Sequence, residues 1–179
     1  MAGIYGGRRL VTPKGQGTRP TGDRVKEALF AILGPLSPAH VLDLYAGSGA
    51  LGLEALSRGA VHIVFVEEAR AALASLRENI AQLGAESAVT VVPRAVERSL
   101  TSLGGEPFSL VLADPPYADV TSGKAVRALG AVVASGQVAA GGTVVLEHAS
   151  SDPSPVLAGL GAPDSRRYGE TTLAFYEHP

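Results

Sequence analysis

The chain of 179 residues contains no cysteine and no tryptophan, and aromatic residues make up only 5% of it. The lack of cysteine excludes a disulfide framework, a thiolate metal site and a cysteine nucleophile. We expect no metal, because the four histidines are scattered without ligand spacing at His40, His62, His148 and His178. No stretch approaches the roughly 18 consecutive apolar residues of a membrane-spanning helix, and the first residues have no apolar signal-peptide core. The expected protein is therefore cytoplasmic, with no membrane segment.

Apolar, strand-like segments alternate with helical ones along most of the chain. With a hydrophobic content of 46%, this alternation predicts one α/β domain built from βαβ units on a parallel sheet. We predict strands at Val41–Tyr45, His62–Val66, Val89–Val92, Phe108–Ala113, Gly142–Glu147 and Thr171–Tyr176. We predict helices at Val25–Leu33, Ala50–Ser57, Arg70–Leu83, Val96–Leu103 and Gly123–Ala134, with a short helical piece near Pro155–Ala158. The ligand site of such a sheet lies where its strands end.

Positive charge is concentrated at the start of the chain. Residues 1–26 contain six basic residues and one acidic residue, whereas the whole chain has a formal net charge of -2. A basic arm on an acidic body is typical of a surface that contacts the phosphates of a nucleic acid. A solvated terminal extension is the alternative. The candidate nucleic-acid-binding residues are Arg8, Arg9, Lys14, Arg19 and Arg24.

The segment Asp114-Pro115-Pro116-Tyr117 follows an apolar run and indicates chemistry on the amino group of a base. Such an amino group is a poor nucleophile, because its lone pair is delocalised into the ring. A carboxylate and a carbonyl of the rigid Pro-Pro turn would accept its two N–H groups, while an aromatic ring stacks on the base. All four residues are therefore candidate catalytic residues. Prolines also end strands, so an ordinary exposed turn is the alternative.

A glycine loop lies between the first predicted strand and the helix after it, where residues 47–52 fit the pattern G-x-G-x-x-G. Glu67, at the end of the next strand, would accept hydrogen bonds from the ribose hydroxyls of either NAD or S-adenosylmethionine. Asp43 favours S-adenosylmethionine. A carboxylate beside the loop would repel the pyrophosphate of NAD, whereas it suits the cationic sulfonium and ammonium groups of S-adenosylmethionine. An NAD(P)-dependent oxidoreductase and a merely structural turn are the alternatives. The candidate cofactor-binding residues are Asp43, Tyr45, Ala46, Gly47, Ser48, Gly49 and Glu67.

Three segments, Arg19–Phe30, Asp43–Ala55 and Asp114–Tyr117, carry a likeness to known proteins. They resemble the RsmD family of 16S rRNA (guanine-N2)-methyltransferases, and the likeness covers nearly the whole chain. The first segment is the specific one, since the other two also occur in amino-methyltransferases of DNA adenine and cytosine. The resemblance implies a Rossmann-like class I methyltransferase fold, with a seven-stranded, mostly parallel sheet, helices on both faces and an N-terminal hairpin. It also implies S-adenosylmethionine as donor, a guanine of the small ribosomal subunit as acceptor, and a monomer.

The resemblance divides the chain into a basic N-terminal extension at 1–36, with a hairpin and a helix, and a methyltransferase domain at 37–179. Two places depart from the family: the opening at residues 3–10 is shorter, and Arg94 stands where Asp or Asn is common. Because Arg accepts no hydrogen bond, backbone groups of Ala95 are the candidates for reading the adenine edge of the cofactor. The predicted activity is methyl transfer to N2 of a flipped-out guanine. DNA adenine-N6 or cytosine-N4 methylation and non-catalytic RNA binding are the alternatives.

Overall fold

The strands form one sheet in the computed structural model, which describes residues 1–13 and 20–179. They are β1 (His40–Leu44), β2 (His62–Val66), β3 (Val89–Val92), β4 (Phe108–Ala113), β5 (Val138–Ala149), β6 (Asp164–Tyr168) and β7 (Thr171–Glu177). Their order across the sheet is β3-β2-β1-β4-β5-β7-β6. Strands β1 to β5 pair in parallel, whereas β7 runs antiparallel to both β5 and β6. The predicted seven-stranded, mostly parallel sheet is therefore confirmed.

Helices cover both faces of the sheet. They are α1 (Pro20–Leu33), α2 (Ala50–Ser57), α3 (Arg70–Leu83), α4 (Tyr117–Thr121) and α5 (Lys124–Ala134). Leu29, Leu53 and Leu76, from the first three helices, are buried in the core on one face. On the other face, α5 buries Leu129 and Val132. Because both faces are covered, the central strands are continuous apolar runs, as expected for parallel strands.

Several elements differ from the sequence-based prediction. Strand β6 was missed because its sequence, Asp-Ser-Arg-Arg-Tyr, is polar and mostly exposed at the edge of the sheet. The short helix α4 was also missed, since it begins directly after two prolines. The predicted helix at Val96–Leu103 is instead a pair of 3-10 turns. The helical piece predicted near Pro155–Ala158 was wrong, because this segment has no helix.

The beginning of the chain forms no strand within residues 1–13, where a 3-10 turn at Gly3–Tyr5 is present instead. The hairpin expected for the N-terminal extension is therefore not found in this part of the chain. Residues 14–19, with the candidate residues Lys14 and Arg19, lie outside the described residues.

Three buried polar side chains fasten the N-terminal segment (residues 1–11) to the helices behind the glycine loop. The Glu54 carboxylate accepts a hydrogen bond from the Ala2 amide, and the Ser57 hydroxyl accepts one from Tyr5. Asn79 is fully buried on α3; its Oδ1 accepts from the Val11 amide and its Nδ2 donates to the Val11 carbonyl. Buried polar groups are stable only when paired, so these contacts fix the course of the segment.

Helix α1 packs against the start of the sheet through Val25, Leu29 and Phe30, all at most 3% exposed. The Arg58 guanidinium lies 5.0 Å from the centre of the Phe30 ring and its Nε donates to Glu54 at 2.8 Å. The stacking and the ion pair join α1 to the same buried carboxylate that holds the N-terminal segment. Helix α1 is thereby fixed against α2.

We predict that Gly52→Ala in α2 destabilises the fold. An added Cβ would lie 2.4 Å from the Phe65 ring, 2.8 Å from Ile63 and 2.9 Å from Asp43 Oδ2. These neighbours are buried and have no room to retreat, so overpacking should cost about 1–3 kcal/mol in the free energy of unfolding. Denaturant titration measures this change.

Gly130→Ala in α5 is the matched control, because nothing lies within 4 Å of its added Cβ. There the better helix propensity of alanine should raise stability by up to about 1 kcal/mol. Equal effects of the two substitutions would contradict close packing of α2 on the sheet.

Candidate functional site

The strand ends meet in a cleft of about 780 Å³ at the carboxyl edge of the sheet. Its walls are formed by residues at or after the ends of β1 to β4, by Glu147 of β5, by Gly22 of α1 and by the start of β7. Of the residues singled out from the sequence, those that line it are Tyr45, Gly47, Glu67, Ala95, Asp114, Pro115, Pro116 and Tyr117. The structure therefore brings the glycine loop, the acid after β2 and the Asp-Pro-Pro-Tyr turn around one space.

Glu67 ties the glycine loop to the end of β2. Its Oε2 accepts a hydrogen bond from the Gly47 amide at 2.7 Å. Its Oε1 accepts from the amides of Glu68 and Ala69, both at 2.8 Å. Because these three donors fix the carboxylate at the cleft wall, its orientation is set by the backbone, and its remaining lone pairs are open to a ligand.

Asp43 lies behind the loop rather than in the cleft wall, and it is only 1% exposed. Its Oδ2 accepts a hydrogen bond from the Gly52 amide at 2.8 Å, which fixes the first turn of α2. Burial raises the pKa of Asp43 to about 7, and the nearby carboxylates of Asp114 and Glu67 add to the rise. A neighbouring cation would therefore favour its ionised form.

The loop after β1 takes an unusual course. Tyr45 has φ +61°, a left-handed conformation that costs free energy for a residue with a side chain, and Gly47 has φ +57°. A Cβ at Gly47 would meet no atom of residues 1–13 or 20–179 within 4 Å, so the described part of the chain leaves open space on this side of the loop. Ala46, Ser48 and Gly49 shape the loop without lining the cleft, and the Ser48 carbonyl accepts a hydrogen bond from Asn79.

Tyr45 points its hydroxyl into a charged corner of the cleft. The hydroxyl oxygen is buried, has no hydrogen-bond partner among the described residues, and its pKa is raised to about 12 by burial. Nearby, Lys124 Nζ lies 3.0 Å from Asp119 and 3.6 Å from Glu97. A buried hydroxyl without a partner is costly, so this corner is suited to a polar ligand group.

The Asp-Pro-Pro-Tyr turn joins β4 to α4. Asp114 opens onto the cleft, and desolvation by the surrounding walls raises its pKa to about 6. Pro115 is buried, whereas Tyr117 is 42% exposed. The Tyr117 hydroxyl lies 3.1 Å from Thr171 Oγ1, which fixes the ring against the start of β7. The turn thus presents a carboxyl and a partly exposed aromatic ring to the same space.

Sequence reasoning missed Glu147, which lies near the end of β5 and lines the cleft beside Asp114. Burial raises its pKa to about 8, and the Asp114 charge adds to the rise. There was little indication of a role for Glu147 in the sequence, because a single Glu at the end of a strand belongs to no motif. It also missed the charged corner at Glu97, Asp119 and Lys124, since these residues come from separate turns.

Three of the basic residues that the sequence suggests for nucleic-acid binding lie outside the cleft. Arg8, Arg9 and Arg24 are exposed, and none of them lines it. Among the described residues no group of three or more histidine or acidic side chains is placed to hold a metal ion. Within the same residues, no helix has the length and apolarity needed to cross a membrane.

Comparison with known proteins gives the family. Residues 1–177 match the family described as Conserved hypothetical protein 95. Ribosomal RNA small subunit methyltransferase D of Escherichia coli K12 is 44% identical over 118 residues, which cover 65% of this chain and 59% of that protein. Bacillus subtilis YlbH is 34% identical over 182 residues, covering 99% of this chain and 97% of that protein. The chain belongs to the RsmD family.

Solved structures agree with the RsmD assignment. The Escherichia coli protein yhhF, described as a candidate methyltransferase, is 31% identical and superposes with a TM-score of 0.81. The match covers 99% of this chain and 95% of yhhF. The fold is therefore the Rossmann-like class I methyltransferase fold expected from the sequence. The chain spans about 59% of the length of the Escherichia coli RsmD protein that it matches.

Proposed function

We propose that this RsmD-family protein transfers a methyl group from S-adenosylmethionine to the exocyclic N2 of a guanine in 16S rRNA of the small ribosomal subunit. The observation that carries the proposal is the Asp-Pro-Pro-Tyr turn, which opens at the end of β4 onto the cleft beside the glycine loop. The name of the Escherichia coli relative supports ribosomal RNA as the substrate. The choice of guanine N2 comes from the resemblance in the Arg19–Phe30 segment.

The donor side of the cleft fits S-adenosylmethionine. Glu67 has lone pairs left for ribose hydroxyls, and the space beside Gly47 admits a ligand close to the backbone. The Tyr45 hydroxyl has no partner in the part of the chain that the structure describes. The buried acid Asp43 and the cleft-facing acid Asp114 suit a cation. Bound there, S-adenosylmethionine would supply a methyl group on an already activated sulfonium.

The acceptor side is formed by the turn itself. In this proposal Asp114 and the Pro115 carbonyl accept the two N–H groups of the amine and fix its direction, while Tyr117 stacks on the base for roughly 1–3 kcal/mol. The protein contributes position and electrostatics, and transfer is direct and in line, with no covalent enzyme intermediate. The proton that leaves the methylated amine goes to Asp114 or to water.

The charges in the cleft argue against the oxidoreductase alternative. Asp43, Glu67, Asp114 and Glu147 gather at one edge of the sheet, and their carboxylates would repel the pyrophosphate of NAD. Membership of the RsmD family favours the same conclusion. Methylation of a DNA amino group uses the same turn, so the product must be identified directly.

We predict that the purified protein forms N2-methylguanosine in small ribosomal subunits taken from cells that lack it, and that Asp114→Asn slows this reaction roughly 10- to 100-fold. The reason is that the substitution removes a charged hydrogen-bond acceptor from the reacting amine. Transfer from radiolabelled S-adenosylmethionine gives the rate, and mass analysis of the digested RNA identifies the nucleoside.

Two controls belong to this experiment. Asp114→Asn should keep its affinity for S-adenosylhomocysteine within about threefold by calorimetry, since the donor contacts of Glu67 and the loop remain. Glu177→Gln, at the opposite edge of the sheet, should leave the rate unchanged. A methylated adenine or cytosine, or a wild-type rate in Asp114→Asn, would contradict the proposal.

The basic N-terminal segment is proposed to contact RNA phosphates. Arg8 and Arg9 are exposed on a segment that Glu54, Ser57 and Asn79 hold in place, so binding RNA there would cost little chain ordering. The exposed residue Arg24 lies on α1, beside the cleft-lining Gly22. The described part of the extension thus offers positive charge on an anchored surface.

The double substitution of Arg8 and Arg9 by Gln should weaken RNA binding and reduce the slope of log affinity against log salt by roughly one to two, because fewer counterions are released. Filter binding at several salt concentrations measures the slope. The same pair of changes at Arg166 and Arg167, both exposed on the edge strand β6, is the matched control. If both double variants share the wild-type slope, the segment does not contact the phosphates.

A further inference from the structure

Glu147 and Asp114 stand side by side at the ends of two neighbouring strands. They directly follow Leu146 and Ala113, the last residues that pair between β5 and β4. Both line the main cleft, and both also line a smaller cavity of about 190 Å³ under α1. The two cavities therefore meet at this pair of carboxyls, which lies between the donor side of the cleft and the helix that follows the basic segment.

The carboxyls of Asp114 and Glu147 differ from the other two acids of the site in their hydrogen bonds. Asp43 and Glu67 accept hydrogen bonds from backbone amides. Within residues 1–13 and 20–179, no group donates a hydrogen bond or offers a salt bridge to the carboxyl of Asp114 or Glu147. Asp114 is exposed to the cleft and Glu147 is half-buried, and such carboxyls take their hydrogen-bond donors from water or from a ligand. These two are placed where an entering ligand would supply them.

The position of Tyr117 brings a stacked base to Glu147. The Tyr117 hydroxyl is tethered to Thr171, and Thr171 pairs with Ala149 at the end of β5, two residues beyond Glu147. The aromatic ring is thus fixed on the β5 side of the cleft. A base lying on this ring would have one edge towards Asp114 and Glu147 together.

The geometry points to Glu147 as the residue that selects the base, by accepting the ring N–H beside the amino group that Asp114 holds. This inference rests on the proposed function. Guanine carries adjacent donors on this edge, N1–H and the N2 amino group. Adenine and cytosine instead carry a ring nitrogen lone pair beside their amino groups, which an ionised carboxylate repels. In its ionised form Glu147 thereby distinguishes guanine from the bases that share the Asp-Pro-Pro-Tyr chemistry.

The test replaces the target guanine, once mapped in the small-subunit RNA, by 2-aminopurine. This base keeps the amino group but has a lone pair at N1 instead of N1–H. At about pH 8, where a large share of Glu147 is ionised and guanine N1 keeps its proton, the wild-type protein should methylate guanine roughly 10- to 100-fold faster than 2-aminopurine. Glu147→Leu, of similar size, should slow the guanine reaction roughly 10-fold. The same substitution should leave the 2-aminopurine reaction unchanged or make it faster, because it removes the carboxylate that repels the N1 lone pair.

Measuring both substrates with each variant distinguishes an effect on base selection from an effect on protein stability. A damaged fold or a displaced Asp114 would slow the guanine and 2-aminopurine reactions by the same factor. Glu147→Gln keeps a neutral acceptor oxygen, so its preference for guanine over 2-aminopurine should lie between those of the wild-type protein and the leucine variant. This variant also keeps the inference testable if Glu147→Leu does not fold. Calorimetric binding of S-adenosylhomocysteine reports folding. Equal slowing of both substrates by these variants, or a wild-type protein that does not distinguish them, would overturn the inference. Absence of N2-methylguanosine with the wild-type protein and natural RNA would instead overturn the proposed function and this inference with it.

Discussion

The crowding of four carboxyls at one edge of the sheet is the constraint on which the site depends. They come from four adjacent strands or the turns directly after them, at Glu67, Asp43, Asp114 and Glu147. Desolvation and mutual repulsion raise the pKa values of Asp43, Asp114 and Glu147 to about 7, 6 and 8. Near neutral pH Glu147 is thus mostly protonated and Asp43 is partly protonated, and a cation or a hydrogen-bond donor entering the cleft would favour the charged forms.

The first part of the chain stabilises the same site from behind. Residues 1–11 are held by Glu54, Ser57 and Asn79, and Asn79 also donates to the Ser48 carbonyl of the glycine loop. One buried amide thus joins the anchored basic segment to the loop beside the donor side of the cleft. A surface proposed to bind RNA and a loop proposed to bind the methyl donor are therefore parts of one packed unit.

The positions of the strand ends were largely predictable from the sequence. Parallel strands that are buried on both faces are continuous apolar runs, so the end of each run marks the end of a strand. Asp43, Glu67 and Asp114 were found in this way, each at or just beyond the end of such a run. Glu147 was not, since its partner Asp114 is 33 residues away in the sequence and only the β4–β5 register brings them together. Strand β6 and the contacts of Asn79 were missed for related reasons: an exposed polar edge strand has no apolar pattern, and a long-range side-chain hydrogen bond has no sequence signal.

The most direct measurement of the central claim is calorimetry of S-adenosylmethionine and S-adenosylhomocysteine binding at about pH 6.5, in buffers with different ionisation enthalpies. If the crowded acids bind the cationic donor, S-adenosylmethionine will release protons on binding, because its charge lowers the raised pKa values. Its affinity will then increase with pH between about 5.5 and 8, while S-adenosylhomocysteine, which lacks the sulfonium charge, will release fewer protons. Equal proton release by the two ligands, with an affinity that does not depend on pH, would contradict the claim.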